Sequence, residues 1–215
     1  MKADCIRLGF PVRYSMMQES KRIITLAITG ASGATYGWDL LKKLEATEQV
    51  ERIFLVVSGT AQGIIRSELN ISLTCADDVE RNGFRKAQWL DEADYFAPIA
   101  SGSHPVSAMA IAPCSMGTLG CIASGAGRNL IHRAADVMLK ERKPLILVPR
   151  ETPLSLIHLE NMVRLSRAGA TIAPAAPAFY LHPASIEDLV GSVTCRVLAL
   201  LGLNVPAGSR WEGHP

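Results

Sequence analysis

The sequence predicts a three-layer α/β/α domain built on a mostly parallel sheet. Short runs rich in β-branched residues alternate with longer segments of helical periodicity, as in strands joined by crossover helices. The apolar runs do not alternate with polar residues, which indicates strands covered on both faces. In such a fold ligands bind beyond the carboxyl ends of the strands.

The first half of the chain contains two strand and helix pairs. RIITLAI at 22–28 has the composition of a buried strand, and the helical period at 34–45 turns Leu40, Leu41 and Leu44 inward. A second β-branched run at 52–57 predicts a strand, and residues 60–69 follow with a helical pattern. Residues 70–87 carry no motif that predicts an element.

The second half repeats the alternation. Apolar runs predict strands at 108–112, 145–148 and 170–173. Helical periodicity predicts helices at 117–124, 129–140, 154–168 and 186–201.

A length of 215 residues suits one domain, since single domains run to roughly 150–250 residues. Residues 21–203 form the predicted domain, residues 1–20 a flexible extension without periodicity, and residues 204–215 a Gly/Pro-rich tail. Residues 1–20 lack the apolar run and cleavage site of a secretory signal, so the cytoplasm is the expected location.

Charge and hydropathy exclude several classes of partner. The formal net charge is +2, from 22 Lys and Arg against 20 Asp and Glu, which argues against nucleic-acid binding. No apolar run approaches the ~20 residues that span a bilayer, so no membrane partner is expected. Five cysteines are odd in number and widely spaced, and the histidines show neither HxxxH nor HxH spacing, so no metal site is expected.

Two turns at the ends of predicted strands carry the candidate ligand site. Residues 29–34, TGASGA, join the first strand to the first helix, where glycines allow close approach and a helix N-terminus attracts an anion. The GxxG spacing differs from the dinucleotide fingerprint GxGxxG, and a purely structural turn is the alternative. Residues 113–118, PCSMGT, place Ser115 and Thr118 at a second such turn, where ordinary N-capping is the alternative. The SGS at 101–103 lies shortly before the same strand.

A charged cluster is the third signal. Arg133, Lys140, Arg150, Glu151 and Arg196 lie in or beside strongly apolar segments. Arg150 and Glu151 follow the strand LILV at its carboxyl end, where guanidinium groups can bind a phosphate. A surface ion-pair network is the alternative, above all for residues 140–143.

Taken together, these motifs resemble the UbiX-type flavin prenyltransferases, over about residues 21–203. The likeness is carried by TGASGA (29–34), SGS (101–103), PCSMGTL (113–119), NLIHRAADVMLKERKPLILVPRETP (129–153), HLENM (158–162), PAFYLHP (177–183) and VTCRVL (193–198). The resemblance implies a Rossmann-like, or flavodoxin-like, homo-oligomer, a dodecamer, with sites where subunits meet. It also implies transfer of a dimethylallyl group from dimethylallyl monophosphate to N5 and C6 of reduced FMN, without metal. The prenylated FMN would serve a UbiD-type decarboxylase.

The resemblance also implies roles for individual residues. The implied FMN contacts are Gly30, Ala31, Ser32, Ser58, Ser115, Met116, Gly117, Thr118 and Arg150. The implied contacts of the prenyl phosphate are Tyr180 and Arg196, assisted by Lys140 and Arg133. The implied catalytic groups are Ser32, Glu151, Lys140 and Glu68. Tyr95 stands where the family often has Trp, and Trp211 fits a late tryptophan near the site.

Two other functions share parts of this pattern. FMN-dependent cysteine decarboxylases have the same fold and a glycine-rich FMN loop, but they are expected to use a catalytic histidine. A non-catalytic FMN carrier or decarboxylase subunit would not need a phosphate-binding cluster beyond the one for FMN.

Overall fold

The computed structural model describes residues 21–205. The predicted extension 1–20 and Trp211 of the predicted tail lie outside the described residues. The strands are β1 (Arg22–Ile28), β2 (Val50–Val57), β3 (Ala87–Leu90), β4 (Ala108–Cys114), β5 (Leu145–Pro149) and β6 (Thr171–Ile172). The α-helices are α1 (Ala34–Ala46), α2 (Gly59–Leu69), α3 (Ala76–Arg81), α4 (Met116–Ser124), α5 (Leu130–Lys140), α6 (Leu156–Arg167) and α7 (Ile186–Leu200). Short 3₁₀ turns cover Pro98–Ala100 and Phe179–Leu181.

The six strands found within residues 21–205 form one sheet in the order β3-β2-β1-β4-β5-β6. Every neighbouring pair is parallel. The chain builds outward from β1 on one side and then returns to start β4 on the other. This strand order is that of the Rossmann fold, and the reversal between β1 and β4 leaves a crevice at their carboxyl ends. The predicted α/β/α class is confirmed.

Each face of the sheet carries its own apolar core. Ile24, Leu26 and Ile28 of β1 pack toward α1, α2 and α7, whereas Ala27 packs toward α4 and α5 with Phe54 of β2. Successive side chains of a strand point to opposite faces, so a run without polar residues fills both cores. This is the physical reason why the strands read as continuous apolar runs.

Two elements, α3 and β3, lie in or beside residues 70–87, the segment for which the sequence predicts no helix or strand. Asp78 anchors α3, because its carboxylate accepts hydrogen bonds from the backbone N–H of Thr74 and the hydroxyls of Thr74 and Ser72. These bonds, first of all the Thr74 N–H, lower the pKa of Asp78 to about 2. The four-residue edge strand β3 is too short to give a period in the sequence.

None of the helices described within residues 21–205 combines the length and the apolar content that a bilayer crossing requires.

Candidate functional site

The turns after β1, β2, β4 and β5 meet at one edge of the sheet, around the reversal between β1 and β4. The register places the ends of β1 and β2 side by side at Ile28 and Val57, and the ends of β4 and β5 side by side at Cys114 and Pro149. Every residue predicted to bind flavin lies on one of these four turns or in the first turn of α4. The topology therefore brings the predicted flavin contacts to a common crevice.

Thr29 joins the turn after β1 to the turn after β4. Its buried hydroxyl donates a hydrogen bond to the carbonyl of Pro113 at 2.9 Å and accepts one from the N–H of Ser115 at 2.8 Å. The N–H of Thr29 also donates to the Pro113 carbonyl, at 3.2 Å. The relative position of the two predicted flavin turns thus depends on Thr29, for which the sequence predicts no role.

Replacing Thr29 by valine keeps the side-chain shape and removes the hydroxyl. We expect Thr29→Val to lower the free energy of unfolding by about 1–3 kcal/mol, because the N–H of Ser115 loses its acceptor in a buried place. Urea denaturation measures the change. Thr29→Ser, which keeps the hydroxyl, should lose less stability, and an equal loss in both variants would argue that the methyl group is what matters.

The first turn, residues 30–33, is closely packed. A Cβ on Gly30 would lie 2.7 Å from Cγ2 of Thr60, at the start of α2, so only glycine fits there. Gly33 has φ = 97°, in the left-handed region that favours glycine. Nε of Arg150 donates to the carbonyl of Ser32 at 2.8 Å, which ties this turn to the end of β5.

Glu68 reaches this turn from α2. Its carboxylate accepts hydrogen bonds from the N–H of Gly33 at 2.9 Å and of Ala34 at 2.8 Å, at the beginning of α1. The first N–H groups of a helix have no acceptor within the helix, and the helix dipole favours an anion there. The structure therefore brings Glu68 next to Ser32, as the predicted site requires.

Two hydroxyls of the predicted site cap helices. Ser58 precedes α2 and accepts from the N–H of Ala61 at 3.3 Å. Ser115 precedes α4, accepts from the N–H of Thr118 at 3.2 Å and donates to the Thr118 hydroxyl at 3.0 Å. The N-capping interpretation of Ser115 is confirmed, and it holds the hydroxyls of Ser115 and Thr118 together.

Cys114 ends β4 directly before this turn and is fully buried. Burial raises the pKa of its thiol to about 12. The thiol is therefore protonated at neutral pH, and thiolate chemistry at this position is excluded.

Glu151 lies beside Arg150 at the end of β5, exposed to solvent. Its carboxylate accepts a hydrogen bond from the N–H of Thr152 at 2.9 Å. The exposed carboxylate therefore follows β5 at the ligand edge of the sheet.

Tyr180 and Arg196 line one cavity of about 390 Å³. The chain after β6 forms one wall of this cavity, and α7 forms the other. The N–H of Ala175 donates to the carbonyl of Pro149 at 3.1 Å, which places this wall beside the end of β5. The structure therefore brings the two predicted prenyl-phosphate residues together.

Lys140 and Arg133 do not line the cavity of Tyr180 and Arg196. Both belong to α5, which runs back from the ligand edge, so Lys140 at its end lies at the opposite edge of the sheet from Arg150. Lys140 pairs with Glu141 at 3.2 Å, and Arg133 bonds the carbonyl of Ala100 and the carboxylate of Asp136. Within one chain, Lys140 therefore does not join Arg150 at the carboxyl ends of the strands.

One further residue at this edge, Glu92, has no counterpart among the predicted site residues. It follows β3, and its carboxylate bonds the beginning of α2. No helix or strand is predicted for residues 70–87, which precede β3. The sequence therefore contains no signal that Glu92 lies at the ligand edge of the sheet.

Among the histidines, His158 and Ser155 form a capping box at the beginning of α6. His132 is buried in α5, and burial lowers its pKa. Its Nδ1 accepts from the N–H of Arg128 at 3.3 Å. Within residues 21–205 there is no group of three or more His, Cys, Asp or Glu that could hold a metal ion.

Comparison with known proteins identifies relatives of similar sequence. The model of the Flavoprotein family matches residues 11–197. The flavin prenyltransferase UbiX of Pseudomonas aeruginosa is 48% identical over 201 residues, which cover 89% of this chain and 95% of the relative.

Solved structures show the same likeness. AnUbiX (PadA1), in complex with FMN and dimethylallyl pyrophosphate, is 42% identical with a TM-score of 0.78, over 91% of this chain and 100% of the other. A dodecameric, FMN-dependent UbiX-like decarboxylase from Escherichia coli O157:H7 is 43% identical with a TM-score of 0.80, over 89% of this chain and 100% of the other. The FMN-dependent cysteine decarboxylase TvaF is 15% identical with a TM-score of 0.57, over 85% of this chain and 99% of the other, and shares the fold alone.

Proposed function

The chain belongs to the Flavoprotein family, among the UbiX-type flavin prenyltransferases, and we propose that it transfers a dimethylallyl group from dimethylallyl monophosphate to reduced FMN. The observation that carries the proposal is the meeting of the two flavin turns at the β1/β4 crevice, held by Thr29, next to the cavity of Tyr180 and Arg196. The product, prenylated at N5 and C6, is of use to a UbiD-type decarboxylase.

The residues at the crevice fit FMN. Gly30 leaves room where any side chain would meet Thr60, and the turns offer the hydroxyls of Ser58, Ser115 and Thr118. The first N–H groups of α4, at Met116 and Gly117, have no acceptor within the helix and suit a polar ligand. When bound, reduced FMN supplies the electron-rich atoms that attack the allylic carbon.

Arg196 and Tyr180 serve the leaving phosphate. Breaking the allylic C–O bond increases the negative charge on the phosphate oxygens in the transition state. A guanidinium and a phenol that line the same cavity stabilise that growing charge without a metal.

Glu151 and Ser32 handle protons in the proposed mechanism. Glu151 is exposed at the end of β5 and is free to take a proton during ring closure or to deliver one to the leaving phosphate. Ser32, on the turn after β1, would hydrogen-bond near N5 of bound reduced FMN and relay its proton. Glu68 accepts hydrogen bonds from the N–H groups of Gly33 and Ala34 and so keeps the turn of Ser32 in place.

The positions of Lys140 and Arg133 favour a site completed by other subunits. Both lie on the surface of α5, and Lys140 is remote from Arg150 in its own chain. The dodecameric relative supports an oligomer of the same kind here, in which these cations reach the prenyl phosphate of a neighbouring subunit. The exposed apolar residues Leu156, Ile157, Leu159 and Val163 of α6 offer a face for subunit contact. The cytoplasm is the proposed location.

The two alternative functions fit the geometry less well. His132 is buried with its Nδ1 bonded to the backbone, and Cys114 is buried and protonated, so neither suits a decarboxylase centre. A non-catalytic flavin carrier would not need the cavity that Tyr180 and Arg196 line.

Release of inorganic phosphate from dimethylallyl monophosphate tests the proposal. Under anaerobic conditions the release should require both the protein and reduced FMN. Phosphate release that is equally fast without flavin indicates a phosphatase, and no release in the presence of bound reduced FMN contradicts the prenyltransferase.

Arg196→Gln tests the cavity separately. We expect kcat/KM for dimethylallyl monophosphate to fall about 10- to 100-fold, because a charged hydrogen bond to phosphate is lost, while the Kd for FMN stays unchanged. Arg167→Gln, at the end of α6 and outside the cavity, is the matched control. Equal effects of the two substitutions would contradict the assignment of Arg196.

A further inference from the structure

Glu92 links three elements at the ligand edge. Its Oε1 accepts a hydrogen bond from the N–H of Gly59 at 2.7 Å, and its Oε2 accepts one from Nδ2 of Asn129 at 2.9 Å. Its backbone carbonyl accepts from the N–H of Leu130 at 2.7 Å. The end of β3 is thereby joined to the beginnings of α2 and α5.

The turn that Glu92 holds belongs to the proposed flavin site. Ser58, the residue before Gly59, is a proposed FMN contact, and its N–H donates to the carbonyl of Ile28 at 3.0 Å. Thr60, the residue after Gly59, packs over Gly30 of the first flavin turn. A shift of this turn would therefore move the hydroxyl of Ser58, a proposed FMN contact, together with the Thr60 side chain that packs against Gly30.

The partner atoms require a carboxylate at this position. Oδ1 of Asn129 accepts from the N–H of His132 at 3.1 Å, which fixes the amide so that its NH₂ group faces Glu92. Gly59 and Asn129 therefore both present donors. A carboxylate accepts from both, whereas a glutamine would turn its own NH₂ group toward that of Asn129.

We propose that Glu92 is a positioning residue for flavin binding: its carboxylate fixes the turn of residues 58–60 through Gly59 and anchors that turn to α5 through Asn129. The proposal rests on the proposed function in taking FMN as the ligand. It does not depend on prenyl transfer, because its readout is the Kd of FMN measured without a prenyl donor.

An exchange of donor and acceptor tests the proposal. We expect Glu92→Gln to raise the Kd of FMN about 10-fold, because one hydrogen bond to a charged group is replaced by two opposed NH₂ groups. Asn129→Asp alone should also raise the Kd, because it sets two carboxylates against each other. The double variant Glu92→Gln/Asn129→Asp restores one donor facing one acceptor, and its Kd should return to within about 3-fold of the wild-type value.

Quenching of flavin fluorescence gives the Kd values, and thermal unfolding is followed in parallel. Glu80→Gln, on α3, is the control and should leave the Kd unchanged. A wild-type Kd in Glu92→Gln, a double variant no better than the singles, or a loss of thermal stability with an unchanged Kd would each overturn the proposal. A wild-type protein that does not bind FMN would overturn it too. Normal FMN binding without phosphate release would overturn the proposed function alone.

Discussion

Glu151→Gln is expected to slow prenyl transfer by about 10²-fold or more, the usual scale for the loss of an acid or base group. The substitution preserves the size of the side chain and its acceptor for the N–H of Thr152, but it removes the group that exchanges a proton. Because Glu151 lies outside both flavin turns and does not line the cavity of Tyr180 and Arg196, the Kd values of FMN and of the prenyl phosphate should not change. Single-turnover kinetics with reduced FMN measure the rate of the chemical step.

The matched control for Glu151 is Glu48→Gln, an exposed glutamate at the other edge of the sheet. Its turnover should equal that of the wild type. Unchanged turnover in Glu151→Gln would remove Glu151 from the mechanism, and a loss of FMN binding would reassign it to the flavin site.

Gly37→Ala is expected to destabilise the fold by about 3 kcal/mol, at the upper end of the usual cost of overpacking. Gly37 lies on the face of α1 that packs on the sheet. A Cβ there would lie 2.4 Å from the carbonyl oxygen of Ala112 and 2.9 Å from the side chain of Ile28. To relieve the contact, α1 must move away from β4, which displaces the turn of residues 30–33 and should weaken FMN binding. Urea denaturation gives the stability, and flavin fluorescence gives the Kd.

Gly63→Ala also replaces a helical glycine by alanine, but we expect it to raise the free energy of unfolding. Gly63 lies inside α2, with no described atom within 4 Å of the added Cβ. Alanine in a helix interior is more stable than glycine by up to about 1 kcal/mol, so this variant should gain stability. If the two substitutions had equal effects, the close approach of α1 to β4 would not be the cause.

The parts of the fold that the sequence predicts are those with strong periodicity. The buried parallel strands and the amphipathic helices agree with the structure to within about two residues at most ends, the usual scatter of helix and strand boundaries. The short elements α3 and β3 could not be predicted, because Asp78 and its partners rather than an apolar period hold α3, and β3 has only four residues.

The site could be predicted where its residues follow strands, because parallel strands end at a common edge. The roles of Thr29 and Glu92 could not be predicted, since each depends on hydrogen bonds across more than thirty residues. Within one chain, Lys140 and Arg150 lie at opposite edges of the sheet, and the sequence of one chain does not show which residues a neighbouring subunit brings to the site.

The mass of the flavin after one anaerobic turnover tests the central claim most directly. The protein is incubated with reduced FMN and dimethylallyl monophosphate, and the released flavin is analysed by mass spectrometry. The released flavin should be heavier by one five-carbon isoprene unit, in equal amount to the phosphate released. Flavin of unchanged mass, with FMN and the donor both shown to be bound, would contradict it.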